Sequence, residues 1–200
     1  MKTGILGGTF NPIHNGHIAI GLAALEEYRL DRILVMPSGV SYLKEGTGVL
    51  GSSIRREMTR LAIEDIDRFV LDDREVRRAG NSYTCDTLNE LRDELGPEEE
   101  FYYIIGADTL YNIEKWRNID VIFGECTLLV SVRDDVTLDD LKTKAEELKS
   151  LYNARICFLH IDEIDISSSM IRERVHEGSN IDGLVDDKVY KYILDNNLYK

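Results

Sequence analysis

The chain has 200 residues, which suffices for one α/β domain with a substantial core and is too short for two domains of ordinary size. Hydrophobic residues make up 43% and charged residues 30%, and no apolar stretch approaches the length of a membrane span. The formal charge of −13 argues against DNA or RNA as a partner, because a protein that binds a phosphate backbone needs a basic face.

Apolar runs alternate with helical patterns along the chain. The apolar runs predict strands at Lys2–Leu6, Arg32–Met36, Phe69–Leu71, Phe101–Ile105, Thr127–Val132 and Arg155–Leu159. Helical spacing predicts helices at Gly16–Tyr28, Ser53–Ile66, Thr87–Leu95, Ile113–Phe123, Leu138–Leu151, Ser169–Glu177 and Asp187–Asn196. This alternation predicts an α/β fold with a doubly wound, mostly parallel sheet and helices on both faces. We expect a single domain over residues 1–200, with the helices from about residue 169 packing on it.

A glycine pair follows the first predicted strand, and two histidines stand where the next helix begins. The string reads Gly7-Gly8-Thr9-Phe10-Asn11-Pro12-Ile13-His14-Asn15-Gly16-His17. Glycine lets the backbone approach a bulky anion, and the first N–H groups of a helix attract phosphate. A helix that begins near Asn15 or Gly16 places His14 and His17 on one side of its entrance. The pattern predicts a phosphate site; the alternative is a turn with solvent-exposed or purely structural histidines.

The string resembles the His-x-Gly-His signature of the nucleotidyltransferase superfamily, whose Rossmann-like enzymes transfer nucleotidyl units from nucleoside triphosphates. The resemblance implies that His14 and His17 are catalytic and contact the α- and β-phosphate region of ATP. It also implies that ATP lies against the backbone of the preceding loop, which comprises Gly7, Gly8, Thr9 and Phe10.

Gly39–Gly51 is rich in Gly and Ser, which predicts a mobile loop beside the site. Lys44 lies in this loop, and on its own it reads as a solvated lysine. Members of the resembled family commonly carry a lysine here that reaches the phosphates, which implies that Lys44 binds the acceptor substrate. This sequence departs from the frequent Pro-Pro-His-Lys run of the family, because it has Ser41-Tyr42-Leu43-Lys44 instead.

The segment Asn81–Leu88 precedes a predicted helix, which Thr84 or Asp86 could cap. It is also similar to the Ser-Tyr-Thr-x-Asp-Thr-Leu segment of bacterial nicotinate-nucleotide adenylyltransferases, where the backbone around the threonine receives the nicotinate carboxylate. That similarity implies that Tyr83 and Thr84 bind nicotinate mononucleotide. A carboxylate suits a helix entrance, because the N–H groups there carry partial positive charge.

The fourth predicted strand ends in Gly106-Ala107-Asp108, where glycine permits close approach and a carboxylate can accept hydrogen bonds from a ribose. Trp116 follows and is the only tryptophan of the chain. Its residue type alone is compatible with core packing. In the resembled family a tryptophan at this point stacks on the nicotinate ring. We expect Gly106 and Asp108 to bind ATP.

Near the C-terminus, Ile166-Ser167-Ser168-Ser169-Met170-Ile171-Arg172 matches the Ile-Ser-Ser/Thr-x-x-Ile/Val-Arg signature of the same superfamily. The resemblance implies that Ser167, Ser168 and Arg172 hold the β- and γ-phosphates, with Arg172 catalytic. Hydroxyl groups and a bidentate arginine suit a leaving pyrophosphate. A helix capped by Ser168 that carries a surface arginine is the alternative. Arg133, after the fifth predicted strand, adds a further cation for the acceptor.

Together these segments imply an adenylyltransferase of NAD biosynthesis that converts ATP and nicotinate mononucleotide into nicotinate adenine dinucleotide and pyrophosphate by direct in-line transfer. The expected cofactor is Mg²⁺, held mainly by phosphate oxygens without a protein metal cage. The scattered cysteines Cys85, Cys126 and Cys157 fit reduced thiols of a cytoplasmic protein. Alternatives are another adenylyl- or cytidylyltransferase, such as phosphopantetheine adenylyltransferase, and a non-catalytic nucleotide sensor. The sequence leaves open the acid-over-amide preference and whether the chain forms a homo-oligomer.

Overall fold

The computed structural model describes residues 1–39, 48–132, 138–161 and 165–200. The strands are β1 (Lys2–Gly8), β2 (Arg32–Pro37), β3 (Phe69–Leu71), β4 (Glu100–Gly106), β5 (Cys126–Val132) and β6 (Arg155–His160). The helices are α1 (Asn15–Glu27), α2 (Ser52–Ile63), α3 (Arg74–Arg77), α4 (Thr84–Leu95), α5 (Ala107–Asn112), α6 (Ile119–Glu125), α7 (Leu138–Tyr152), α8 (Ser168–His176) and α9 (Asp187–Asp195), and a 3₁₀ turn covers Ile113–Lys115. Of the helices described, none is long and apolar enough to cross a membrane.

The strands form one sheet in the order β3-β2-β1-β4-β5-β6, and every neighbouring pair is parallel. The predicted doubly wound α/β fold is therefore confirmed. This strand order is that of Rossmann-like folds, in which the direction of winding reverses between β1 and β4. The ends of these two strands, Gly8 and Gly106, mark the place where such folds bind ligands.

Successive side chains of the central strands belong alternately to two hydrophobic cores, one on each face of the sheet. Ile5 of β1 and Leu128 of β5 belong to one core, together with buried residues of α4, α6 and α7. Leu6 and Leu129 belong to the other core, which α1, α2, α8 and α9 cover. Because successive strand residues point to opposite faces, fully apolar strands such as these require cover on both sides.

The prediction of one helix over Ile113–Phe123 is wrong, because the helix is interrupted in this segment. A 3₁₀ turn ends at Lys115, and Asn118 adopts a left-handed conformation with φ 50° before α6 begins. A left-handed residue cannot continue an α-helix, so residues 116–118 form a connection. The apolar spacing continues across the break, since Ile113 and Ile122 are both fully buried in the same core, which explains why periodicity suggested one helix.

The bounds of two other helices differ from the predictions, and one short helix was not predicted. Helix α4 begins at Thr84 rather than Thr87, with Tyr83 at the N-cap position, so neither Thr84 nor Asp86 caps it. Helix α2 covers Ser52–Ile63 and ends before the predicted Ile66. The short α3 has no periodic signal, because its four residues make a single turn.

The side chain of Arg55 on α2 connects the ends of the first two strands. Only 3% exposed, it donates hydrogen bonds to four backbone carbonyls: Leu50 (2.9 Å), Thr9 (2.5 Å), Ser38 (2.7 Å) and Gly39 (3.1 Å). Burial lowers the pKa of the guanidinium, and the carbonyl dipoles around it stabilise the charge. This one side chain thus connects the residues that directly follow β1 and β2.

We predict that Arg55→Lys lowers the free energy of unfolding by about 2–4 kcal/mol. A lysine ammonium cannot donate hydrogen bonds to all four carbonyls, so some of these buried acceptors are left unsatisfied. The matched control is Arg56→Lys on the same helix, where a surface ion pair to Asp73 (2.6 Å) is worth about 1 kcal/mol or less. Urea denaturation of both variants measures the difference. Equal, small losses would contradict the role of Arg55.

Candidate active site

A cleft of about 950 Å³ opens at the C-terminal edge of the sheet, above β1 and β4. Its lining includes most of the residues singled out in the sequence: Gly7, Gly8, Thr9, His14, His17, Tyr83, Thr84, Gly106, Asp108, Trp116, Ser167 and Ser168. Phe10 and Arg172 do not line it. Lys44 and Arg133 lie outside the described residues. The fold therefore gathers segments from four separate parts of the chain around one space.

The two histidines form a stacked pair at the entrance of α1. His14 is the N-cap residue, and the rings lie 3.7 Å apart between centroids at an angle of 33°. The backbone N–H of His14 donates to Nδ1 of His17 over 3.2 Å. Because Nδ1 accepts this bond, the neutral His17 ring carries its proton on Nε2, where it can donate to a phosphate oxygen. The helix entrance therefore presents both backbone and imidazole donors to the cleft.

The side chain of Phe10 packs within this loop and does not line the cleft, so its predicted contact with ATP stays a prediction. Its side chain is buried, and its ring meets the edge of the His17 ring at 5.0 Å between centroids and 84°. A Cβ atom at Gly8 would lie 2.5 Å from Cε1 of Phe10. Glycine is therefore required at position 8, because the phenylalanine ring occupies the space that any side chain would need.

The N-terminus of α8 lies at the end of the cleft that also holds the two histidines, which we call the phosphate end. The Ser167 hydroxyl accepts a hydrogen bond from Met170 N–H (3.2 Å), so Ser167, and not Ser168, is the N-cap. The Ser168 hydroxyl donates to the Pro12 carbonyl over 2.8 Å. The Ser167 hydroxyl thus caps α8, and the Ser168 hydroxyl fixes the N-terminus of this helix against the β1–α1 loop, where its N–H groups carry partial positive charge.

Arg172 is bonded to the β1–α1 loop and does not line the cleft, so the phosphate contact that the resemblance implies for it stays a prediction. Its Nη1 donates to the Asn11 carbonyl over 2.9 Å, and its side chain is half-buried behind the β1–α1 loop. In this arrangement the guanidinium ties α8 to the loop that carries the histidines. One of its N–H donors is therefore already bonded to the Asn11 carbonyl.

The other end of the cleft is aromatic and rests on Tyr103, which sequence reasoning missed. The Tyr103 hydroxyl lies 3.5 Å from Oγ1 of Thr84, and a Cβ atom at Gly7 would lie only 2.7 Å from it. Trp116 packs edge-to-face on the Tyr103 ring, 6.1 Å between centroids at 88°. Burial raises the pKa of Tyr103, so the phenol remains protonated and keeps its donor. Its position in an apolar strand is equally typical of a core residue, so the sequence does not indicate that it lines the cleft.

Arg117 is a second residue that sequence reasoning missed. Its guanidinium carbon lies 4.6 Å from the centroid of the Tyr83 ring, and its side chain lines the cleft next to Trp116. The neighbouring tryptophan and the strongly acidic composition were the available signals, because an acidic protein that binds anions must concentrate positive charge locally.

Glu75 is a buried carboxylate at the margin of the cleft. Its Oε1 accepts a hydrogen bond from the Thr87 hydroxyl (2.8 Å), and burial raises the pKa of the carboxyl group. The backbone carbonyl of Glu75 also packs so closely on Gly39 that any Cβ there would clash with it. Glu75 therefore connects the loop after β2 with the first turn of α4.

The donor set at the phosphate end consists of imidazoles, hydroxyls and backbone N–H groups. Within the described ranges, no group of three or more His, Cys, Asp and Glu side chains is placed to hold a metal ion. The N–H groups and hydroxyls of this set match the oxygen atoms of phosphates, which accept hydrogen bonds.

Comparisons with known proteins agree with this arrangement. The cytidylyltransferase-like family matches residues 5–174. A probable nicotinate-nucleotide adenylyltransferase of Lachnoclostridium phytofermentans is 39% identical over 198 residues, covering 99% of this chain and 98% of that protein. The Clostridium beijerinckii protein of the same name is 36% identical over 202 residues, covering 100% of this chain and 99% of its own.

Solved structures show the same fold. The nicotinic acid mononucleotide adenylyltransferase of Plasmodium falciparum, complexed with APC, superimposes with a TM-score of 0.78 at 20% identity, covering 99% of this chain and 96% of that one. The structure of the same enzyme complexed with NaAD gives 0.78 at 21% identity, with coverages of 99% and 97%. By fold, by motifs and by full-length similarity, the chain belongs to the cytidylyltransferase-like family and, within it, to the nicotinate-nucleotide adenylyltransferases.

Proposed function

We propose that the chain transfers the adenylyl group of ATP to nicotinate mononucleotide, forming nicotinate adenine dinucleotide and pyrophosphate. The observation that carries this proposal is the two-ended cleft at the reversal of the sheet. One end offers phosphate donors from the β1–α1 loop and the start of α8, and the other offers an aromatic recess at Thr84 and Trp116. The names of the full-length relatives point to the same reaction.

The proposed chemistry is an in-line attack of the mononucleotide phosphate on the α-phosphorus of ATP. The P–O bond to the pyrophosphate breaks as the new P–O bond forms, and no covalent enzyme intermediate is involved. Since the attacking phosphate is already anionic near pH 7, a strong general base is unnecessary, and catalysis rests on positioning and charge stabilisation.

The residues at the phosphate end divide this task. His17 donates from Nε2 to the α-phosphate region, and the stacked His14 holds its ring in place. The hydroxyls and N–H groups at Ser167–Ser169 receive the leaving pyrophosphate at the entrance of α8. Arg172 keeps α8 against the histidine loop and adds positive charge behind the leaving group.

Mg²⁺ fits this donor set as a partner of the phosphates. When bound with ATP, the ion neutralises phosphate charge and is held by phosphate oxygens and water. Asp108 lines the same cleft and is an exposed carboxylate there, available for the ribose hydroxyls or for water around the ion. We place the enzyme in the cytoplasm, where ATP is made and where the three free thiols remain reduced.

At the acceptor end, the indole of Trp116 offers a face for the electron-poor pyridinium ring. Stacking of this kind combines dispersion with a cation–π contribution. The hydroxyl of Thr84 and the first N–H groups of α4 provide donors for the carboxylate of that ring.

A product assay tests the proposed function. Purified protein is incubated with Mg²⁺, ATP and one of three acceptors: nicotinate mononucleotide, nicotinamide mononucleotide or phosphopantetheine, and CTP replaces ATP in a parallel set. We expect one pyrophosphate for each nicotinate adenine dinucleotide, with nicotinate mononucleotide and ATP as the best pair. Release with phosphopantetheine or CTP alone would assign another transferase activity, and no release with any pair would identify a nucleotide sensor.

We predict that His17→Ala lowers kcat by a factor on the order of 10²–10³, because it removes one transition-state donor. The matched control is His176→Ala at the exposed end of α8, which should keep wild-type turnover. Thermal denaturation verifies that both variants fold. Wild-type turnover in His17→Ala would refute the role assigned to this ring.

A further inference from the structure

Arg117 stands at the acceptor end of the cleft, in the connection between the 3₁₀ turn and α6. It follows Trp116 directly, and its guanidinium lies over the ring of Tyr83 at 4.6 Å. Tyr83 is the N-cap residue of α4 and precedes Thr84. The guanidinium is thus held beside both groups proposed to receive the acceptor ring.

The charges around the cleft make this arginine unusual. Among the described residues that line the cleft, Arg117 is the one arginine or lysine, whereas Glu75 and Asp108 contribute carboxylates. Within the described part of the chain, none of the ion pairs includes Arg117. In a chain with a formal charge of −13, a cation that lines a cleft and is in none of the described ion pairs is available to an anionic ligand.

The two candidate acceptors differ at one group. Nicotinate carries a carboxylate where nicotinamide carries a neutral amide of similar size, so shape alone separates them poorly. A guanidinium offers planar paired donors that match a carboxylate, and stacking on Tyr83 restricts the motion of the long side chain. An ion pair on an exposed surface contributes little binding energy. A pair between Arg117 and the acceptor carboxylate is stronger, because an acceptor that fills the cleft displaces water from around it.

We propose that Arg117 is a specificity-determining residue, whose guanidinium binds the ring carboxylate of the acceptor and so favours the acid over the amide. This inference rests on the proposed function, since it concerns the acceptor of that reaction. It assigns the discrimination to a charged side chain in addition to the hydroxyl and backbone donors around Thr84.

The test compares kcat/KM for nicotinate mononucleotide and nicotinamide mononucleotide in three variants. For Arg117→Gln we expect KM for nicotinate mononucleotide to rise roughly tenfold with kcat nearly unchanged, because one charge-assisted contact is lost. The amide substrate should change less than about threefold, so the acid/amide ratio falls. Arg117→Lys should give an intermediate ratio, since it keeps the charge and loses the planar fork. Lys115→Gln, an equal charge change on an exposed neighbour, should leave the ratio unchanged.

Three outcomes overturn the inference. If the ratio of kcat/KM values for acid and amide is unchanged in Arg117→Gln while the wild-type protein is active, the guanidinium does not recognise the carboxylate. An equal loss for both acceptors shows a structural role for Arg117. An equal fall of the ratio in Lys115→Gln shows a general effect of net charge. Failure of the proposed function is distinct from all of these, because it appears as an inactive wild-type protein.

Discussion

The arrangement of the whole site depends on one buried guanidinium. Backbone carbonyls at the ends of parallel strands need donors once the chain leaves the sheet, and Arg55 supplies hydrogen bonds to four of them. Its partners include Thr9 after β1 and Ser38 after β2. The loop that carries the histidines is therefore fixed relative to the neighbouring strand end, and a phosphate site built from backbone N–H groups requires such fixed geometry.

The phosphate end joins parts of the chain that are distant in sequence. Ser168 and Arg172 on α8 bond the Pro12 and Asn11 carbonyls of the β1–α1 loop. Two helix N-termini thereby face the same space, and their partial positive charges favour phosphate binding by an acidic chain. The opposite, aromatic end, which Arg117 also lines, is the place where we propose that the acceptors are distinguished.

The sequence predicts much of this architecture, because it depends on patterns that are local. Buried strands, glycine breaks and the spacing of His14 and His17 are short-range signals, and the parallel sheet follows from the alternation of strands and helices. Contacts between distant segments leave no such signal. The donor partners of Arg55 and Arg172 and the close approach of Tyr103 to Gly7 arise only when the chain is folded. The helix break at residues 116–118 is also invisible, since the apolar period runs through it.

The most direct test of this account is a crystal structure of the protein with nicotinate adenine dinucleotide. We predict the pyridine ring on the face of Trp116 with its carboxylate between Thr84 and Arg117, and the diphosphate within hydrogen-bonding distance of His17 and the start of α8. A dinucleotide bound away from the strand ends, or with its adenine against Trp116, would contradict the account.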